Sequence, residues 1–197
     1  MWRIRAVSRA CWWWSVPAVS EAQAPASAQA RVFLALCPGP DVAAALAQHA
    51  ESWDWPAGAA RYASADWHVT LHFMGQVARS RIDELRAGLA VPMTPFELRF
   101  GEPALWPHGL AVLLPIATPP ALAALHAQLG RAVRRLGLKT DERPYSPHLT
   151  LARHAARAQP RGRWPAFGWP VQAYALMEST GQSDARYRLL QQYGAQA

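Results

Sequence analysis

Two short stretches of this chain are near copies of one another, His68-Val-Thr-Leu71 and His148-Leu-Thr-Leu151. Each half of the sequence runs in the same order: an apolar strand, a helical stretch, a loop, then the histidine-bearing strand. The two histidines stand about half the folded length apart. A period that long excludes a short solenoid repeat and points to two related lobes facing one another. On a strand, side chains alternate faces, so His68 shares a face with Thr70 while Val69 and Leu71 point into a core. His148 and Thr150 repeat the arrangement.

The remaining pattern fits around that frame. Residues 31–37 read as a buried strand stopped by Pro-Gly-Pro, and Asp41 as the cap of a helix over 42–51. The stretch 53–65 reads as a loop, and 67–74 as a strand halted at Gly75. Ser80 reads as the cap of a helix over 81–90, followed by strands at 96–100 and 110–116. Leu122, Leu125, Leu129, Val133 and Leu136 recur at helical steps across 119–136, with Gly137 as the stop. Strands are expected at 148–152, 171–178 and 186–190. Residues 1–30 are unlike the rest: three Arg, then Cys11-Trp-Trp-Trp14, then Ala, Ser, Pro and Gln. They loosely mimic a secretory signal, but the apolar run is short and broken by Ser15 and Pro17. A disordered N-terminal extension over 1–30, ahead of one folded domain over 31–197, is the reading adopted.

Composition narrows the class. With 51% hydrophobic and 17% charged residues the chain buries a sizeable core, and no apolar run is long enough to span a membrane. Cys11 and Cys37 form neither a C-x-x-C pair nor a disulfide framework, which favours a reducing, cytoplasmic setting. Nineteen of the 20 basic side chains are Arg, and the net charge is +7. The first thirty residues carry three of those Arg and one Glu, so +5 belongs to the remainder. Arg pairs bidentately with phosphate, although codon composition produces the same bias. Arg157, Arg161 and Arg163 with Trp164 form a cluster suited to an RNA backbone and one stacked base, or equally a solvated basic face.

The paired motifs carry the chemistry. Imidazole and hydroxyl sit about 6.6 Å apart along each strand, a separation that holds one phosphoryl group. Two such strands across a cleft offer one imidazole to take a proton from an attacking water and another to protonate the leaving oxygen. The hydroxyls donate to the non-bridging oxygens as charge grows there. A single H-x-T would count for little; two matched copies are a strong signal. His68 and His72 also invite a metal reading, but on a strand they lie about 13 Å apart, too far for one ion. No metal is expected, and His72 is placed on the cleft rim or in solvent. Arg153 follows the second motif, and strict alternation turns it away from the site unless the strand bends after Ala152.

The motifs His68-Val-Thr-Leu-His-Phe-Met-Gly75 and Tyr145-Ser-Pro-His-Leu-Thr-Leu-Ala-Arg153 resemble those of the two-histidine (2H) phosphoesterase superfamily. More narrowly, the chain is similar to the bacterial RNA 2′,3′-cyclic phosphodiesterases, also labelled 2′-5′ RNA ligases. The first strand at 31–36 and the closing strands at 174–179 and 187–190 match that branch as well. The resemblance implies a bilobal α+β fold, two antiparallel sheets around a central cleft with helices packed outside. It implies metal-independent, cofactor-free opening of a 2′,3′-cyclic phosphate to a 2′-phosphomonoester, and ATP-independent 2′-5′ joining of RNA ends. Carried over by motif, His68 is the general acid, His148 the general base, and Thr70, Thr150 and Arg153 bind phosphate. Phe33 lines the nucleobase side of the cleft or is a plain core residue. The implied partner is RNA with a 2′,3′-cyclic end, tRNA fragments included, acted on by a monomer. Two alternatives stay open: another 2H activity, on 2′-5′ linkages or small nucleotide cyclic phosphates, and a non-catalytic RNA-binding module.

Overall fold

The structure, a computed structural model, describes residues 28–162, 165–182 and 185–194. Residues 1–27, and Arg163 and Trp164 of the basic cluster, lie outside the described residues. The chain begins with strand β1 (Gln29–Leu36) and helix α1 (Pro40–Glu51). Two short strands, β2 (Trp53–Asp54) and β3 (Ala60–Arg61), precede β4 (Val69–Ala78) and helix α2 (Ile82–Gly88). Next come β5 (Phe96–Trp106), β6 (Leu110–Pro115), α3 (Pro120–Arg135) and β7 (Leu149–Arg153). The chain closes with β8 (Gln159–Pro160), β9 (Phe167–Val171), β10 (Ala173–Ser179) and β11 (Tyr187–Gly194).

The α+β class and the two-lobed plan are as the motif resemblance implies. Strands run β11-β10-β1-β4 in one lobe and β7-β6-β5-β9 in the other, with neighbours antiparallel, and β3 pairs the outer part of β7. The lobes meet at a single residue pair, Val69 opposite Leu149, in the middle of the two motifs. The repeat is therefore a pseudo-two-fold: β4 answers β7, and β1 answers β6. The helices cross over. α1 follows β1 of the first lobe yet reaches the β9 side of the second, where its first turn shares a groove with Gly168–Pro170. α3 follows β6 of the second lobe and packs behind β4, burying Leu122, Leu125, Leu129 and Val133. That stripe is the one the helical spacing marks.

Several boundaries depart from expectation, each for a local reason. Neither Asp41 nor Ser80 caps a helix: α1 begins at Pro40 behind Gly39, and α2 at Ile82 after a 3₁₀ turn over Arg79–Arg81. Proline suits the first helical turn, where its missing N–H has no partner to lose. The stretch read as a loop contains β2 and β3, and β9 and β10 replace a single closing strand. β4 does not stop at Gly75 but continues to Ala78, because Gly75 takes φ +74° at a bulge between Val32↔Gly75 and Phe33↔Phe73. Glycine enters that left-handed region without the Cβ penalty other residues meet.

A second bulge matters more. Leu34 pairs with His72 and Ala35 with Thr70, so Leu71 is the extra residue on β4. Ala111 pairs with Ala152 and Val112 with Thr150, so Leu151 is the extra residue on β7. The two bulges are equivalent under the pseudo-two-fold, one step beyond each threonine. Each flips the alternation: Leu71 and His72 are both buried, as are Leu151 and Ala152, while Phe73 and Arg153 turn out again.

Candidate active site

His68 and His148 each occupy the last position before their strand, one residue ahead of the bridging pair Val69↔Leu149. Extending that antiparallel register by one step sets His68 across from Thr150 and Thr70 across from His148. The charge of His148 acts on His68, so the two imidazoles share one cleft, with Thr70 and Thr150 two residues further along their own strands. All four side chains are half-buried. The two expected histidines are thus brought into one cleft.

Each ring is held from behind in the same way. His68 Nδ1–H donates to the Asp66 carbonyl at 2.7 Å, and His148 Nδ1–H to the Ser146 carbonyl at 2.8 Å. With Nδ1 committed to its own turn, each ring presents Nε2 to the cleft, an acceptor when neutral and a donor when charged. Aromatic rings flank both. Phe33 lies 5.1 Å and Tyr187 4.9 Å from the His68 ring, the latter edge-on at 79°, and Trp106 lies 4.3 Å from the His148 ring.

Burial sets the electrostatics. It pushes both imidazoles below their ordinary pKa, since a charged ring loses hydration there. The carbonyls of Asp66 and Ser146 oppose the shift, and for His68 the nearby His148 adds to it while the Asp66 charge opposes it. Mutual repulsion across the cleft means that one proton, rather than two, is the favoured load of the pair.

Arg153 sits on the cleft side. The bulge at Leu151 supplies the bend that strict alternation lacks, and the guanidinium lies 5.9 Å over the Tyr62 ring, close enough to Tyr187 to act on its hydroxyl. Phe33 is only 2% exposed, roofed by Tyr187 at 5.2 Å and beside Phe73 at 5.8 Å. It supports the cleft wall and presents little surface to a base, whereas Phe73 is 55% exposed. His72 is not on the rim: the bulge buries it on the helix side, stacked on His126 at 4.0 Å, its Nε2–H donating to the His126 carbonyl at 2.8 Å. His68 and His72 face opposite sides of β4 and share no ion. Tyr187, Trp106, Tyr62 and Asp66 were missed by the sequence reading. Only Asp66 carried a signal, standing two before His68 as Ser146 stands before His148.

Paired His-x-Thr strands and an Arg on a two-lobed antiparallel frame are the features of a two-histidine phosphoesterase. A family model described as the 2′-5′ RNA ligase superfamily matches residues 39–182, and the chain belongs to that superfamily. It is 31% identical over 157 residues to the RNA 2′,3′-cyclic phosphodiesterase of Escherichia coli (strain K12), covering 76% of this chain and 84% of that one. It is 31% identical over 94 residues to the protein of the same name from Bacillus subtilis (strain 168), covering 45% of this chain and 51% of that one. Among solved structures, the fold is shared with E. coli LigT complexed with 3′-AMP (TM-score 0.72, 20% identity, 86% of this chain and 99% of that one). It is also shared with a protein described as a phosphoesterase (TM-score 0.74, 21% identity, 85% of this chain and 99% of that one).

Proposed function

We propose that this protein opens the 2′,3′-cyclic phosphate at RNA 3′ ends to a 2′-phosphomonoester, tRNA fragments being among its substrates. His148 Nε2 takes a proton from water as the water oxygen attacks phosphorus. The P–O3′ bond breaks, and the proton on His68 Nε2 passes to O3′. Thr70 and Thr150, on opposite strands, donate to the two non-bridging oxygens, and the Arg153 guanidinium balances the anion. A 5′-hydroxyl in the place of water would give a 2′-5′ linkage by the same two proton transfers.

The observation that supports this reading most is the single bridging pair Val69↔Leu149, one residue on from each histidine, with both Nδ1 atoms tied back to backbone carbonyls. Both proton transfers then need no metal-bound water. The +7 charge supports an anionic substrate of this kind. Residues 28–197 form the working domain. It starts earlier than the expected 31 because the Ala28 carbonyl accepts from Arg79 N–H and Gln29 and Ala30 pair with Ala78 and Val77 in β1. The residues before them are dispensable to it, and the domain acts as a monomer in the cytoplasm. Among the described residues no helix is long and apolar enough to cross a membrane.

Phosphorus NMR of a short RNA ending in a 2′,3′-cyclic phosphate, incubated with the protein in excess EDTA, tests the proposal. Conversion to the 2′-phosphate alone is expected. A 3′-phosphate product, or loss of turnover in EDTA, would overturn it. Turnover confined to 2′-5′ linkages or to small cyclic nucleotides would move the protein to another substrate of the same class. RNA binding without turnover would make it a binding module.

A further inference from the structure

Several guanidiniums of this protein are committed to carboxylates: Arg79 and Arg188 both grip Glu178, and Arg81 holds Glu84. Two others are held differently. Arg153 and Arg186 lie over the same ring, that of Tyr62, at 5.9 and 4.8 Å from its centre. Tyr62 is buried, and its backbone N–H donates to the Leu151 carbonyl at 2.8 Å, which pins the ring beside the β7 bulge. Among the described residues neither guanidinium donates a hydrogen bond, and the single ion pair either makes is Arg186 Nε to Asp66 Oδ2, at 3.6 Å. The Arg186 side chain is 36% exposed. Two like charges are thus braced on one ring with their N–H forks uncommitted, an arrangement that bound anions stabilise.

The side of the cleft says which anion Arg186 meets. In the proposed reaction water attacks on the His148 side and O3′ departs on the His68 side. O3′ belongs to the ribose, so the nucleoside, and the strand 5′ to it, leave the cleft past His68. Arg186 stands there. It precedes Tyr187, whose ring lies 4.9 Å from the His68 ring, and it faces Asp66, whose carbonyl holds His68 Nδ1. Trp106 fills the corresponding place beside His148.

We infer that Arg186 is a specificity-determining residue that binds the 5′-phosphate of the terminal nucleotide, while Arg153, on the same ring, holds the cyclic phosphate. Tyr62 sets the spacing of the two guanidiniums, close enough together for neighbouring phosphates of one strand. The site then selects a polynucleotide end, or a 5′-phosphorylated nucleotide, over a nucleoside 2′,3′-cyclic phosphate. This rests on the cyclic-phosphate reading above and adds to it the path of the strand.

The test uses the full chain and three substrates: a nucleoside 2′,3′-cyclic phosphate with a 5′-hydroxyl, the same compound with a 5′-phosphate, and a short RNA with a cyclic end. The wild type should favour the 5′-phosphorylated compound by about 5- to 10-fold in kcat/KM, mostly through KM. Arg186→Gln should lose that preference while its turnover of the 5′-hydroxyl compound stays within about two-fold. Arg186→Lys, which keeps the charge, should recover most of it. On RNA, the fall of log kcat/KM with log salt should be shallower in Arg186→Gln by roughly 0.7, the share of one phosphate contact. A wild type that turns over both compounds without preference would overturn the inference, as would an Arg186→Gln that slows both equally. A wild type that yields product from none of the three overturns the cyclic-phosphate reading itself, and the absence of any product tells that failure from the first.

Discussion

At the residue scale, the two histidines are equal in backbone support and unequal in charge environment. The proposed mechanism requires one charged and one neutral, so it predicts a bell-shaped pH dependence of the rate. Burial lowers both imidazoles, so the free enzyme reaches its singly protonated form only below the ordinary imidazole value of 6.5. The bell in kcat/KM therefore centres on the acid side of that value. A bound phosphate anion favours charged His68, so the alkaline limb of kcat lies at higher pH than that of kcat/KM. Steady-state kinetics across pH check this, and a profile flat from about pH 5 to 9 would contradict it. Of these residues, the two His-x-Thr pairs were legible in the sequence because strand alternation alone aligns His with Thr. Tyr187 and Trp106 were not, since they arrive from strands whose register no local pattern specifies.

At the element scale, paired bulges at Leu71 and Leu151 decide which way the motif's later residues point. Strict alternation put His72 on the cleft side and Arg153 off it, and the bulges reverse both. Nothing in Leu-His or Leu-Ala announces an extra residue, so period-two reasoning carried as far as the threonines and no further. Gly75 is the other hinge of β4. A Cβ there would meet nothing within 4 Å, but φ is +74°. Gly75→Ala should therefore cost about 1 kcal/mol through backbone strain alone, read by urea unfolding.

The turned-in His72 forms a column with His126 and Tyr145, whose rings stack at 4.0 and 3.9 Å behind the site. Gly130 of α3 makes the room, since a Cβ there would lie 3.2 Å from His72 Cε1. Burial, then the neighbouring His72, lowers His126 to about 4 from 6.5. The unfolded chain binds that proton between these values and the folded one does not, so stability falls as pH drops from about 6.5 to about 4. Thermal melts across that range should show a shallower decline in His126→Gln than in the wild type. Equal slopes would contradict the assignment of a neutral column.

At the scale of the whole molecule, two four-stranded lobes share one bridging pair, and on the proposed mechanism a phosphate bound between the two motifs touches both. The halves were visible in the sequence because each repeats strand, helix, loop and His-strand. Their crossover was not, because a helix's apolar stripe says what it buries and not against which lobe. A ligand spanning the lobes stabilises the folded state by mass action, about 2.7 kcal/mol at a hundred times its Kd. For a chain of this size that is a rise of roughly 5–10 °C in Tm. Thr70→Val and Thr150→Val should each reduce the rise caused by inorganic phosphate. If variants in one lobe alone abolish it, the phosphate does not bridge.

The central claim is that His68 and His148 act as one acid–base unit across the cleft. The most direct measurement compares turnover of a 2′,3′-cyclic nucleotide by the wild type, His68→Ala, His148→Ala and the double variant, each checked for folding by its melt. Loss of either imidazole should lower kcat by about 10²–10⁴-fold, with the double variant little worse than the poorer single one. Losses that multiply in the double variant, or a single variant that keeps wild-type turnover, would contradict the account.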